Sequence, residues 1–215
     1  MPLTIKQIRK NIYLIEADHQ IELTTTFARP QEFYESPYKE IRGKYFTLSE
    51  FIDVYSRKGD FTYYTDWVGF NFPGEVLNRF FRLFRRDMSK KELILKKLVQ
   101  KVYKNKRDKF YIIAAVKNSA LTIKHEIAHA YWYLYPEYRR NVEIAIKRIP
   151  KKLYNLAKRT LLNMEYDVRF VDDEIQAYLS TDTQSTIKER LGWTAPYIGQ
   201  ESFQNIFNYC NKVFE

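Results

Sequence analysis

Apolar and polar positions alternate loosely over residues 11–15 and again over residues 21–27, which end in Thr24-Thr25-Thr26-Phe27. A period of two belongs to a half-buried strand, so the pattern predicts two strands joined as a hairpin. Pro30, Pro37 and Gly43 then mark a loop over 29–44. Thr47 or Ser49 is placed to cap a helix to about residue 55, which Gly59-Asp60 ends. The aromatic, β-branched run 61–67 predicts a strand, and Gly69, Pro73 and Gly74 a turn before a helix over 74–86. Both aromatic runs read as packing segments in preference to a lid or pocket wall.

Ser89 opens a helix to about residue 103, with Leu95, Leu98, Val99 and Val102 on one stripe and Lys90, Lys97, Lys101 and Lys104 turned elsewhere. Residues 109–116 (KFYIIAAV) form the strongest strand signal in the chain. Asn118 or Ser119 then caps a helix over 119–135 that stops before Pro136. Helices over 138–148 and 151–165 are divided by Pro150, and further helices fit 171–181, 185–191 and 200–213. The fold class is therefore α+β. A mixed lobe spans 1–108, a mostly helical part spans 109–215, and the strand–helix pair 109–135 lies at the junction.

Composition narrows this little. Of 215 residues, 45% are hydrophobic, enough for a core and against disorder. The single Cys210 excludes an intramolecular disulfide and a Cys-based metal site. With no apolar leader and no membrane-length apolar run, the expectation is a cytoplasmic protein without a membrane span. Charge is more telling. Residues 79–109 hold 13 Lys and Arg against 3 Asp and Glu, while the rest of the chain holds 23 of each sign. Here arginines interleave with aromatics (Arg79-Phe80-Phe81-Arg82-Leu83-Phe84-Arg85-Arg86). Arg82, Arg85, Arg86, Lys97, Lys101 and Lys104 are candidates for contact with nucleic acid or an acidic protein. The plainer reading buries the aromatics and leaves the charges as a solvated face.

The sharpest chemistry is His125-Glu126-Ile127-Ala128-His129, an HExxH motif using two of three histidines. On a helix, positions i and i+4 share a face, so both imidazoles reach one metal ion, and Glu126 is placed as general base toward an activated water. Catalytic zinc takes three protein ligands, and no histidine follows His129. An acid downstream must serve: Glu137, Glu143, Glu165, Asp167, Asp172, Asp173, Glu174, Asp182 and Glu189 are available. Glu174 is chosen, because Ile175, Tyr178 and Leu179 form an inward stripe around it and a carboxylate among core positions needs a partner. Asp172, Asp173 and Asp182 are candidates for fixing the histidines from behind. Peptide deformylase shares HExxH, but its metal-binding cysteine precedes the motif whereas Cys210 follows it.

HEIAHA followed by a separate helix bearing DEIQAYLSTD resembles the gluzincins, zinc peptidases with a glutamate as third ligand, and among them most the lethal-factor-type toxin peptidases. The likeness covers about residues 109–215. It implies a zincin-like fold, Zn2+ held by His125, His129 and Glu174, and a peptide or protein substrate lying extended along 109–116 as an exposed edge strand. It also implies a tyrosine that stabilises the oxyanion. Tyr166, eight residues before Glu174, and Tyr178, four after it, are the candidates. The expected function is thus a zinc peptidase; the alternative is a nucleic-acid- or protein-binding module with a structural or vestigial zinc.

Overall fold

The computed structural model describes residues 3–103 and 109–214. The chain forms two compact units, Met1–Ile123 and Lys124–Glu215.

The first unit is built on a four-stranded sheet whose order is β1 (Thr4–Arg9), β2 (Ile12–Ala17), β4 (Tyr111–Val116), β3 (Gly69–Pro73). Strands β1 (Thr4–Arg9) and β2 (Ile12–Ala17) form an antiparallel hairpin, turned at Asn11, whose φ of 59° lies in the left-handed region that asparagine tolerates. The hairpin therefore lies one strand earlier than the pattern predicts. Residues 21–27 belong instead to helix α1 (Gln20–Glu35). Leu23, Phe27, Ala28 and Phe33 give it a buried stripe, and Phe27 lies against Phe70 and Phe72 at ring distances of 5.5 and 5.6 Å. Its threonines, which read as β-formers, are accommodated by back-bonding. Thr24 donates to the Gln20 carbonyl at 2.9 Å and Thr26 to the Glu22 carbonyl at 2.7 Å.

Helix α2 (Leu48–Tyr55) begins at Thr47, which with Glu50 closes a capping box. The run 61–67 is not a strand: it holds a single helical turn, α3 (Tyr63–Asp66). There Tyr63 is buried edge-on against Phe51 and Tyr55, and ring packing overrides β propensity. Strand β3 (Gly69–Pro73) replaces the predicted turn; Pro73, which has no N–H, stands at the end of this edge strand. Gly74 then opens α4 (Gly74–Leu83), and a Cβ there would lie 2.2 Å from the Phe110 ring, so only glycine fits. Helix α5 (Lys90–Val102) starts in a second capping box, Ser89 with Glu92.

Strand β4 (Tyr111–Val116) pairs in parallel with β2 and antiparallel with β3. It is a central strand, and this corrects the expectation of an exposed edge. Its unbroken apolar run reflects burial on both faces. After β4, Asn118 takes φ 64° and the Ser119 carbonyl accepts the first bond of helix α6 (Ala120–Leu134).

From Lys124 onward, in the second unit, the described residues form helices without strands: the rest of α6, then α7 (Pro136–Ile146), α8 (Lys151–Asn163), α9 (Val171–Thr181), α10 (Gln184–Leu191) and α11 (Gln200–Val213). Helix α9 packs against α7, α8, α10 and α11. It is therefore buried from Glu174 to Thr181 despite carrying Gln176, Ser180 and Thr181. A helix this polar and this enclosed must satisfy its side chains internally. The fold is mixed α+β, with a small sheet and a helical C-terminal part. Among the described residues no helix is long and apolar enough to cross a membrane.

Candidate metal centre

Helix α6 presents His125 and His129 on one face, and α9 presents Glu174 opposite them. The two Nε2 atoms are 3.2 Å apart. Glu174 Oε2 stands 3.8 Å from Nε2 of His125, and Oε1 stands 3.7 Å from Nε2 of His129. Bonds of about 2.1 Å in a tetrahedral site put ligand atoms about 3.4 Å apart, so three donors already converge on a single ion position.

The outer faces of both imidazoles are held. His125 Nδ1 lies 3.0 Å from Asp182 Oδ2, and His129 Nδ1 lies 2.9 Å from Asp173 Oδ1. With Nδ1–H donated to a carboxylate, each ring directs the Nε2 lone pair inward. At 3.2 Å the two Nε2 atoms share either a proton, as a hydrogen bond, or a cation held between them. Glu174 is 5% exposed, and its Oε2 is buried without a hydrogen-bond donor among the described residues. Such an orphaned oxygen is costly, and a metal ion satisfies it.

Electrostatics agree. Burial disfavours a charged His125, but Asp182 and Glu174 outweigh it and raise the group to about 9. His129 is likewise raised: burial opposes it, and Asp173 and Glu174 overcome the burial. A pocket that draws protons this strongly onto two imidazoles is one that favours a divalent cation in their place.

Asp173 is fixed in turn by the Gln176 amide at 2.9 Å, while Asp182 Oδ2 lies 2.7 Å from the Thr181 hydroxyl, whose single proton it shares with the Ala177 carbonyl at 2.7 Å. Asp172, the third outer candidate, instead accepts from the Tyr154 hydroxyl at 2.8 Å. Of the other downstream acids, Glu143 pairs with Arg139 and Asp167 with Arg169. Glu126, beside His125, is buried at 6% exposure.

Both tyrosine candidates come to this place. The Tyr178 ring lies 4.6 Å from that of His125, and its hydroxyl is 3.3 Å from the Tyr166 hydroxyl. Burial, with Glu174 nearby, pushes both phenols well above their ordinary value, so both stay protonated donors at neutral pH. Gln176 and Thr181 lie within the DEIQAYLSTD segment but carry no role at the sequence level, and Tyr138, on α7, has no sequence signal. The remaining histidine, His19, sits at the N-terminal cap of α1 in the first unit.

The basic stretch separates by residue type. Phe80, Phe81 and Phe84 are buried in the core of the first unit, whereas Arg82, Arg85, Arg86, Lys97 and Lys101 are exposed. Lys104 lies outside the described residues, as do Lys106 and Arg107.

Among the described residues, His125, His129 and Glu174 thus make a group that could hold a metal ion. Comparison with protein-family models, curated proteins and solved structures gives no match.

Proposed function

We propose that the chain is a zinc-dependent peptidase of gluzincin type, with a zincin-like catalytic part. The observation that carries this reading is the convergence of two Nδ1-anchored histidines with the orphaned Glu174 carboxylate, next to the buried Glu126. Two imidazoles and one carboxylate are a donor set suited to zinc, and a three-ligand set leaves room for chemistry. When bound, zinc would supply a Lewis acid that polarises the scissile carbonyl and acidifies water.

The chain's own groups do the rest. Glu126 takes the proton from the attacking water and returns it to the leaving amine. Tyr178, ring against His125, or Tyr166 behind it, donates a hydrogen bond to the developing oxyanion. Asp173 and Asp182 keep the imidazoles in the tautomer that leaves Nε2 free to bind. A substrate added as a new strand along β4 is not part of the proposal, because both of its edges are already paired.

The test is cleavage of an unbiased peptide library by the full chain, with Glu126→Gln as control. The variant is expected to bind one zinc with unchanged affinity and to lose turnover by on the order of 100- to 10,000-fold. Unchanged turnover in Glu126→Gln would sink the mechanism. Zinc bound by a chain that cleaves nothing would favour the other reading, a binding module with a structural metal.

A further inference from the structure

Gln176 is fully buried on α9, one turn beyond Asp173. Its amide is engaged at both ends. Oε1 accepts from the Tyr138 hydroxyl at 2.7 Å, and Nε2 donates to Asp173 Oδ1 at 2.9 Å. That same Oδ1 stands 2.9 Å from His129 Nδ1. Tyr138, on α7, is 1% exposed, and its oxygen also lies 3.5 Å from Ser180 Oγ.

The orientation of the amide follows from its neighbours. Turned over, it would set a carbonyl oxygen against the Asp173 carboxylate, two acceptors with no proton between them. A buried glutamine and a buried tyrosine hydroxyl between two helices also need an explanation, since apolar groups of the same size would pack there without desolvation cost. Asp173 supplies it. A carboxylate with one anchor can swing away from the imidazole it serves; one that takes a second bond, from an amide that is itself held, cannot.

We propose that Gln176, oriented by Tyr138, is a positioning residue of the metal centre. It fixes Asp173 so that the carboxylate accepts a hydrogen bond from His129 Nδ1–H, which leaves the Nε2 lone pair aimed at the ion. Gln176 is neutral and contributes geometry, not charge. The inference rests on the reading of His125, His129 and Glu174 as metal ligands. Beside Asp182 the Thr181 hydroxyl divides its one proton between that carboxylate and the Ala177 carbonyl, whereas the Gln176 arm reaches through α9 to α7.

The test is Zn2+ affinity of the full chain, measured by competition with a chromophoric chelator, alongside the thermal midpoint of the metal-free protein. Gln176→Met keeps the volume and removes both hydrogen bonds; Tyr138→Phe removes only the hydroxyl. Gln176→Met is expected to weaken zinc binding by roughly 10- to 100-fold, the range for lost outer partners, in a metal-free protein that still folds but melts lower, because Tyr138 and Asp173 each lose a partner. Tyr138→Phe should weaken it less. The double variant should be no weaker than Gln176→Met, because Tyr138 acts through Gln176. Wild-type affinity in Gln176→Met overturns the proposal and leaves the metal reading standing; no zinc binding by the wild-type chain overturns both. If Gln176→Met fails to fold, Tyr138→Phe decides alone: an undiminished affinity counts against the proposal, and a reduced one in a protein that is folded at the assay temperature supports it.

Discussion

A carboxylate that ligates a metal and a carboxylate that orients a ligand leave different marks when removed. Glu174 contacts both Nε2 atoms' common position, whereas Asp173 and Asp182 touch only the far side of each ring. Glu174→Ala should therefore abolish high-affinity zinc binding, by more than about 100-fold, while Asp182→Ala should cost roughly 10- to 100-fold. Equal losses in a chelator titration would erase the distinction between ligand and anchor. The tyrosines divide on the same logic. Tyr178→Phe keeps the ring against His125 and removes only a donor, so under the proposed peptidase reading zinc affinity should hold while kcat falls by on the order of 100-fold. Full turnover in Tyr178→Phe would shift that proposed role to Tyr166. In the sequence the two histidines declare themselves by spacing and Glu174 by the apolar stripe around it. The anchors do not, because Asp172, Asp173 and Asp182 are the same residue type on one helix and its cap. Which of them meets an imidazole depends on how α9 is turned against α6, and one-dimensional spacing does not encode that.

Elements with strong local determinants are legible in the sequence, and those set by packing are not. Thr47 and Ser89 each sit three residues before a glutamate, and both helices start where these capping boxes place them. Residues 21–27 and 61–67 mislead because threonine and tyrosine favour strands in isolation, while their burial against Phe70, Phe72 and Phe51 is a tertiary fact. The position of β4 in the middle of the sheet is similarly invisible, since it depends on β3 arriving from a segment rich in turn residues. Helix α5 carries a stability prediction of its own. Glu92 closes the cap by accepting from Ser89 N at 2.6 Å, and it also takes two bonds from the buried Arg29, at 2.8 and 2.6 Å. Ser89→Ala should cost about 1 kcal/mol, the usual worth of a cap. Glu92→Ala should cost about 3 kcal/mol, because it strips a buried guanidinium of its main partner. Replacing Arg29 and Glu92 together by methionine should recover most of that. Urea unfolding of the three variants checks the order, and a Glu92→Ala variant no weaker than Ser89→Ala would show that the ion pair contributes nothing. Asp87, the other Arg29 partner at 2.7 Å, is held below its ordinary value by that bond. Its contribution is present above about pH 4, the unfolded carboxylate value, and is lost as pH falls through the lower folded value.

Across the whole molecule, charge is the property least tied to the fold. The formal excess of +10 is carried within 79–109 and is balanced elsewhere. Interleaved arginine and phenylalanine suggest two functions at once, phosphate contact and base stacking. The fold separates them, since Phe80, Phe81 and Phe84 lie in the core while Arg82, Arg85 and Arg86 face solvent. Polyanion binding at this stretch would therefore come from counterion release alone, without stacking. Three consequences are measurable together. A single-stranded oligonucleotide and a sulfated polysaccharide of similar charge density should bind with similar affinity. Binding should fall steeply with salt, linearly in log–log form, as each neutralised anion contributes a slope of about 0.7 to 0.9. Reversing Lys97 and Lys101 to glutamate should lower affinity by roughly tenfold or more and flatten that slope. A strong preference for one base sequence, or a salt-independent affinity, would contradict this. Either would mean that the exposed arginines or Gln100 read base edges instead of only neutralising phosphates.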